Sequence, residues 1–296
     1  MRFGLLTPIV THHPEYGATW EETAGPAELA RIAVAADRLG FHHVTCSEHV
    51  AVPETAAPVR GARYYDPLAT FGFLAAQTTR LRFVTHVLVL GYHHPLAIAK
   101  RYGTLDRLCG GRLVLGVGVG TLAEEFALLG APFVDRGPRY EDALRALRVA
   151  FGRRAPAYQG THYRFERFLV DPCGVQEHVP IWLGGRSPRS LRRALEFGDG
   201  WDPFKLTLAE LEPLLARARA WREWQARTAP FDVVLAPDRL LDPTLPAERA
   251  ALIDLVERYR AIGATVLNLR FCHRSLAHYL EQLEVFAREI APPHHG

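Results

Sequence analysis

The chain contains the stretch LVLGVGVG at residues 113–120, followed by EEF at residues 124–126. A short apolar run of this kind is typical of a buried strand. Glycine then occupies every second position, as Gly116, Gly118 and Gly120, and each missing side chain removes a steric barrier to close approach of the backbone. We therefore predict that this strand ends against a flat or phosphorylated ligand, which indicates a cofactor site.

These glycines allow two other interpretations. A dinucleotide-binding fingerprint needs glycines at its first, third and sixth positions and an acidic residue about 20 residues further on. Counted from Gly116, the sixth position is Thr121, and no strand ends in an acidic residue at that distance. The fingerprint is therefore disfavoured. Glycines that merely allow tight strand packing remain an alternative for this stretch taken alone.

Hydrophobic runs and helical patterns alternate along the whole chain, as they do where parallel strands are joined by helical crossovers. The predicted strands are residues 2–9, 43–46, 81–88, 113–117, 180–183, 199–202, 231–235 and 265–269. The predicted helices are residues 26–39, 67–78, 95–108, 139–151, 188–196, 208–227, 246–262 and 275–290. Eight units without an obvious linker predict an α/β fold: one (β/α)8 TIM barrel domain with loop insertions, residues 1–296.

The composition is that of an ordinary globular protein, with 48% apolar and 23% charged residues. No apolar run approaches the roughly 18 residues that a membrane span needs, and the first residues lack the charged leader of a signal peptide. The basic residues behind the formal net charge of +3 are dispersed among 32 acidic ones. We therefore expect a cytoplasmic protein whose partner is a small-molecule substrate rather than a nucleic acid or a membrane.

In a TIM barrel the loops at the carboxyl ends of the strands carry the function. The loops of interest are residues 11–23, 47–66, 90–94 and 118–124. Loop 47–66 is polar, rich in proline and too long for a plain connection, which favours a functional role. It begins with Ser47-Glu48-His49, and a histidine at this place can exchange a proton near neutral pH. The alternative is a histidine that only satisfies local backbone groups.

Gly184 and Gly185 precede Arg186 and a helix start in which Ser187 caps the first turn. Free backbone N–H groups and the positive end of the helix dipole hold phosphate well, so this segment predicts a phosphate site. A tight strand-to-helix turn with solvated arginines is the alternative.

Histidine doublets recur in the chain, at residues 12–13, 42–43, 93–94 and 294–295. They lack the His-x-His and His-Glu-x-x-His spacings of zinc sites, and no metal is expected. The terminal pair is expected to be disordered. Residues 85–88, taken alone, indicate an apolar barrel strand.

These pieces in this order resemble the bacterial luciferase-like flavin monooxygenase superfamily, and most closely its branch that uses the deazaflavin coenzyme F420. The resemblance covers nearly the whole chain. It is carried by residues 47–49, 82–87, 99–100, 104–108, 110–120, 124–126, 180–187 and 198–201. Its family fold is a TIM barrel. The family usually has Ser-Asp-His where this chain has Ser47-Glu48-His49, so the carboxylate is one methylene further out.

The resemblance implies a set of site residues. A cis peptide between His86 and Val87 would support the back of the deazaflavin ring. Val119, Gly120 and Thr121 would lie beside the ring or its side chain. Gly184, Gly185 and Arg186 would hold the phosphate, and Arg186 or Arg189 would meet the negative charge of a glutamylated tail. His49 would be the catalytic proton donor or acceptor, with Glu48 orienting it. From loop position, the substrate would be lined by Tyr16, Trp20, Tyr64, Tyr65 and Phe126.

The function implied is an oxidoreductase that transfers a hydride between coenzyme F420 and a small organic substrate. An FMN-dependent monooxygenase of the same superfamily is the first alternative. A non-catalytic flavin-binding protein is the second, since a shared fold does not guarantee activity. Family members commonly dimerise, so a homodimer is also expected.

Overall fold

Eight parallel strands, each a short run of mostly buried residues, form the centre of the molecule. In chain order they are β1 (Arg2–Leu5), β2 (His43–Cys46), β3 (Arg82–Thr85), β4 (Leu113–Gly118), β5 (Ile181–Gly184), β6 (Gly200–Asp202), β7 (Asp232–Leu235) and β8 (Val266–Leu269). The computed structural model describes residues 1–291. The prediction of disorder for His294 and His295 lies outside this part of the chain.

Each strand is hydrogen-bonded in parallel to the strands before and after it in the chain. The circle closes because β1 also pairs with β8, with Arg2 opposite Val266 and Leu5 opposite Leu269. A parallel sheet that closes on itself after eight strands is a TIM barrel. The predicted fold class is thereby confirmed.

Helices follow the strands and cover the outside of the barrel. The eight main ones are α1 (Pro26–Leu39), α2 (Pro67–Ala75), α3 (Pro95–Leu108), α4 (Arg136–Ala150), α5 (Pro188–Phe197), α6 (Leu208–Ala218), α7 (Pro246–Ala261) and α8 (Leu276–Glu289). Short helices also occur at Ala57–Arg60, Ala123–Leu128 and Arg222–Gln225. Among the residues described, none of the helices combines the length and apolar character that crossing a membrane would require.

Two predicted strands are shorter than expected. The first ends at Leu5 instead of continuing to residue 9, because the chain turns there and Ile9 has a positive φ of 74°. The third was predicted as one strand over residues 81–88, but β3 ends at Thr85. The peptide between His86 and Val87 is cis, as the family resemblance implied. Leu88–Val89 then pairs with β4 again.

The helix predicted over residues 208–227 is wrong in its length. It ends at Ala218, and Trp221 adopts an extended backbone (φ −71°, ψ 145°) before the separate short helix Arg222–Gln225 begins. The helix predicted over residues 67–78 stops at Ala75, three residues early. The helix predicted from residue 139 already begins at Arg136.

One of the three glycines of β4 and its extension serves packing inside the sheet. A β-carbon on Gly116 would lie 1.9 Å from the carbonyl oxygen of Thr85, a contact no side chain tolerates. Thr85 Oγ1 also donates a hydrogen bond of 2.7 Å to the carbonyl oxygen of Gly116. The alternative of tight strand packing is therefore correct for Gly116.

Candidate active site

The mouth of the barrel is shaped by Val87 and by the glycines that end β4 and β5. A β-carbon on Gly118 would lie 2.6 Å from Val87 Cγ2, and one on Gly184 would lie 3.2 Å from Val87 Cγ1. Val87 can therefore sit against both strand ends because neither carries a side chain. The structure thus brings together three residues that the sequence places on three different strands.

The segment after β4 runs beside this mouth. Val119 and Gly120 are half-buried, and Thr121 is exposed. Gly120 has a positive φ of 79°, and a β-carbon there would meet the ring of Phe126 at 2.5 Å. Glycine is needed at this position both for the backbone conformation and for the close approach.

The loop after β5 leads into the start of α5 as the sequence predicts. Gly185 has a positive φ of 110°, and Ser187 Oγ accepts a hydrogen bond of 3.2 Å from the backbone N–H of Ser190. Arg186 and Arg189 are exposed on this turn. A capped helix start with two exposed cations suits an anionic group such as phosphate.

His49 lies beside a buried carboxylate. Its Nδ1 is 2.7 Å from Glu125 Oε2, and the side chain of Glu125 is completely buried. Glu125 also accepts hydrogen bonds from Tyr92 Oη (2.8 Å) and from the backbone N–H groups of Val50 (2.7 Å) and Ala51 (3.4 Å). Burial and the Glu125 carboxylate raise the pKa of Tyr92, which keeps its hydroxyl a donor.

These contacts fix the orientation and the tautomer of the histidine ring. A carboxylate that accepts from three other donors is itself an acceptor, so Nδ1 of His49 carries the hydrogen. Nε2 is then the ring nitrogen that can take or give a proton. The ring of Tyr64 packs edge-on against His49, with ring centroids 4.5 Å apart, and holds its plane.

The predicted role of Glu48 as the residue that orients His49 is wrong. Glu48 Oε1 is 2.7 Å from His93 Nε2, and its Oε2 accepts a hydrogen bond of 2.8 Å from the backbone N–H of Val89. The longer glutamate side chain reaches across to the segment that follows Val87 and secures it. Glu48 is therefore a structural support of the loop, and Glu125 takes the orienting role.

Glu125 belongs to the EEF motif that the sequence singles out, yet no role could be assigned to it there. Two adjacent glutamates begin the short helix Ala123–Leu128; Glu124 is exposed and Glu125 is buried. The helical repeat turns neighbouring side chains to different sides, but the pattern alone does not say which side faces the mouth.

A cleft opens at the ends of β1, β2 and β8. Its lining includes Tyr16, Ser47, His86, Arg270 and His273. Ser47 Oγ donates a hydrogen bond of 2.7 Å to the carbonyl oxygen of His86, which ties the Ser-Glu-His segment to the residue before Val87.

The aromatic residues predicted to line the substrate separate in the structure. Tyr16 lines the cleft, and Trp20 Nε1 donates a hydrogen bond of 2.9 Å to His273 Nδ1 at its edge. Tyr65 is half-buried against the core. Phe126 is fully buried between Tyr92 and Phe133, so its prediction as a residue of the open mouth is wrong.

No three His, Cys, Asp or Glu side chains within residues 1–291 lie close enough together to hold a metal ion. The histidine doublet His42-His43 is instead part of the barrel interior, where the two Nδ1 atoms lie 2.9 Å apart.

The family model of the luciferase-like monooxygenases matches residues 1–288. The chain belongs to this family. An uncharacterized protein of Mycobacterium tuberculosis is 31% identical over 214 residues, which cover 68% of this chain and 74% of that protein. An F420-dependent glucose-6-phosphate dehydrogenase of Nakamurella multipartita is 32% identical over 185 residues, which cover 61% of this chain and 52% of that protein.

Solved structures share the fold of this luciferase-like protein at low identity. The monooxygenase RslO1 from Streptomyces bottropensis is 21% identical, with a TM-score of 0.79 over 100% of both chains. A type II Baeyer-Villiger monooxygenase from Pseudomonas putida, in complex with FMN, is 16% identical, with a TM-score of 0.72 over 99% of this chain and 98% of the other.

Proposed function

We propose that the protein is an oxidoreductase that transfers a hydride between coenzyme F420 and a small organic substrate. The observation that carries the proposal is His49, held through Nδ1 by the buried carboxylate of Glu125 at the mouth of a barrel whose neighbouring strands end in glycine. A histidine fixed in this way is a proton donor or acceptor.

The residues present fit a deazaflavin. Val87 packs against Gly118 and Gly184, and its apolar side chain would contact the back of the ring. Val119, Gly120 and Thr121 would lie along the ring or its side chain. Gly184, Gly185 and Arg186 would hold the phosphate at the start of α5, where the helix dipole favours negative charge. The exposed Arg189 would meet the charge of the tail.

When bound, the deazaflavin supplies or accepts the hydride. The chain's own contribution is a proton at Nε2 of His49, whose opposite nitrogen donates to Glu125. Because Glu125 has three further donors, its carboxylate stays in place whether His49 is charged or neutral. His49 can therefore give up a proton and regain it without moving.

Two comparisons bear on the choice of cofactor. The F420-dependent glucose-6-phosphate dehydrogenase of Nakamurella multipartita is the relative that supports a deazaflavin. An FMN-dependent monooxygenase is the second candidate. It is favoured by the description of the family and by the FMN complex of the Baeyer-Villiger enzyme that shares the fold. A protein that binds flavin without catalysing a reaction is the third candidate.

A parallel titration of the purified protein with coenzyme F420 and with FMN, followed by fluorescence, tests the proposal. We expect tight binding of the deazaflavin and negligible binding of FMN. A preference for FMN would replace the proposal by the monooxygenase, with oxygen consumption as its assay. Binding of neither cofactor would refute both.

The His49→Ala variant tests the catalytic role separately from binding. We expect turnover to fall by roughly 100-fold or more, the usual contribution of a general acid or base, while the affinity for coenzyme F420 stays within a few-fold. His178→Ala is the matched control, because His178 is exposed near the amino-terminal end of β5, away from the mouth. Unchanged turnover in His49→Ala would contradict the assigned role.

A further inference from the structure

A second histidine–carboxylate pair lies at the cleft and is not used by the mechanism above. His86 Nε2 is 3.4 Å from Asp202 Oδ2, where Asp202 is the last residue of β6. The side chain of His86 is 19% exposed towards the cleft, and that of Asp202 is 1% exposed. A carboxylate so deeply buried needs a compensating charge or a full set of hydrogen-bond donors.

The barrel interior does not supply that charge. Asp202 Oδ1 is 3.4 Å from Asn268 Nδ2, and Asn268 Oδ1 lies 2.8 Å from His43 Nε2. Burial lowers the pKa of His43 well below its ordinary value and lowers the pKa of His42 to about 3, so both rings are neutral. Asn268, His43 and His42 therefore form a polar but uncharged chain behind Asp202.

Asp202 Oδ2 has no hydrogen-bond partner of normal length within the described residues. Among these residues, the cationic group within ion-pair distance of it is His86. Arg270 across the cleft and His43 behind the ring both disfavour a positive His86. The other charged or titratable residues that line the cleft include His13, Glu21 and His273. Although burial opposes the charged ring, Asp202 outweighs it and raises the pKa of His86 above its ordinary value.

We propose that His86, held as an imidazolium by Asp202, is a second proton donor of this enzyme, and that it serves a substrate whose reducible group is a carbonyl or an imine. The proposal rests on the hydride transfer proposed above. In a carbonyl reduction the carbon gains the hydride of the reduced deazaflavin and the oxygen gains the proton of His86. The ring is left as a neutral imidazole and regains a proton from water.

The surroundings of His86 suit such a substrate. The cleft is lined by Thr7, Thr45, Ser47 and Arg270. Thr7 and Thr45 donate their hydroxyl protons to the carbonyl oxygen of Leu5, and Ser47 donates its own to the carbonyl oxygen of His86. Among these lining residues, Arg270 and His86 therefore supply the donors for a substrate. Arg270 stacks over Tyr16, with its Cζ 4.4 Å from the ring centroid. A polar oxygen or nitrogen bound here meets the guanidinium of Arg270 and the ring of His86, and His86 is the one of the two that can part with a proton near neutral pH.

Nitrogen-15 NMR of the histidine rings in the cofactor-free protein tests the charge directly. We expect His86, identified by the signals lost in His86→Gln, to be predominantly doubly protonated at pH 7, above the ordinary histidine pKa of about 6.5. In Asp202→Asn it should be neutral. His273 is the internal control in the same cleft, because burial lowers its pKa and its ring should be neutral in all samples. A neutral His86 at pH 7 in the wild-type protein would overturn the proposal.

Turnover of the loaded enzyme gives the second readout. We expect His86→Gln to lower kcat for a carbonyl or imine substrate at least tenfold and to remove the decline of kcat at high pH. Asp202→Asn should shift that decline to lower pH. If His86→Gln turns over substrate normally, this inference fails and the hydride transfer stands. If the wild-type protein reduces no substrate with coenzyme F420, the proposed function fails, whereas the NMR result is independent of it.

Discussion

Two histidine–carboxylate pairs of the barrel mouth, His49–Glu125 and His86–Asp202, contain the same chemical groups in different surroundings. Glu125 accepts hydrogen bonds from Tyr92, Val50 and Ala51 in addition to His49. Asp202 has the amide of Asn268 at 3.4 Å and His86 at 3.4 Å. Glu125 therefore has hydrogen-bond donors enough without its histidine, whereas Asp202 does not.

This difference assigns different tasks to the two histidines. A carboxylate with enough neutral donors orients an imidazole without holding it charged, so His49 is free to pass a proton in either direction. A buried carboxylate short of donors favours the imidazolium, because the charged partner is the one that compensates it. His86 is therefore a donor at rest. The number of hydrogen bonds at the carboxylate, rather than the pair itself, decides the role.

The largest expected effect comes from breaking the first pair. Glu125→Gln keeps the size of the side chain but removes its charge and turns one of its two acceptor oxygens into a donor. Oε2 faces His49 and Tyr92, and Oε1 faces the backbone N–H of Val50. We expect kcat to fall by about 100-fold, within the usual range for a misplaced general acid or base. Steady-state kinetics with coenzyme F420 and circular dichroism of the fold check this.

Glu124→Gln is the matched control for that prediction, because Glu124 is the exposed neighbour on the same short helix. Its kcat should stay within a factor of two of the wild-type value. Equal losses of kcat in the two variants would mean that turnover depends on the helix start as a whole and not on the contact between the Glu125 carboxylate and His49.

A smaller effect is expected at the contact between Gly118 and Val87. Gly118→Ala would place a β-carbon 2.6 Å from Val87 Cγ2, so Val87 must move into the mouth. We expect the affinity for the cofactor to weaken by about tenfold, because displacements of this kind typically cost 1–3 kcal/mol. A fluorescence titration measures it.

Gly72→Ala serves as its control. Gly72 lies in α2, where a β-carbon would meet nothing within 4 Å, and the exchange should leave affinity unchanged. It should also stabilise the protein slightly, since alanine favours a helix. Unaltered cofactor affinity in Gly118→Ala would mean that Val87 does not contribute to cofactor binding.

The sequence predicts the fold of this molecule better than it predicts the contacts of its candidate site. The eight alternations predict the barrel because each unit carries its own periodicity and its own caps, such as Ser187 at α5. Both histidines at the mouth are also predicted from the sequence: His49 from its place directly after a strand, and His86 from the family resemblance. Their carboxylates are not: Glu125 is 76 residues from His49, and only the closed barrel brings them together.

The errors have local causes. Glu48 stands directly before His49, but adjacent side chains in an extended segment point in opposite directions, so it reaches His93 and Val89 instead. Phe126 follows two glutamates at a helix start and looks exposed in sequence, yet it fills the space that Gly91 and Gly120 leave open. In both cases the partner that decides the orientation lies in another loop.

Glu48→Gln separates the support role of this residue from catalysis. The variant can still accept the hydrogen bond from Val89 but meets His93 as a neutral group. We expect kcat to fall by no more than about threefold and the free energy of unfolding to fall by about 1–3 kcal/mol, the usual cost of weakening a buried charge-assisted hydrogen bond. A loss of turnover comparable with that of Glu125→Gln would restore Glu48 to the catalytic pair.

The smallest effect concerns the pH dependence of stability at the second pair. A group whose pKa is raised in the folded state stabilises the fold fully below its unfolded pKa, and the contribution is lost as the pH rises through the folded pKa. For His86 the pKa is raised by Asp202 against the effect of burial. The melting temperature of His86→Gln should therefore lie a few degrees below that of the wild-type protein at pH 6 and approach it at pH 9. In the Asp202→Asn background the trend should reverse, because burial then lowers the pKa of His86 and the unfolded chain takes up its proton more readily at pH 6. A difference between wild type and His86→Gln that does not vary with pH would mean that His86 has the same pKa in the folded and unfolded protein, and that Asp202 does not hold it charged.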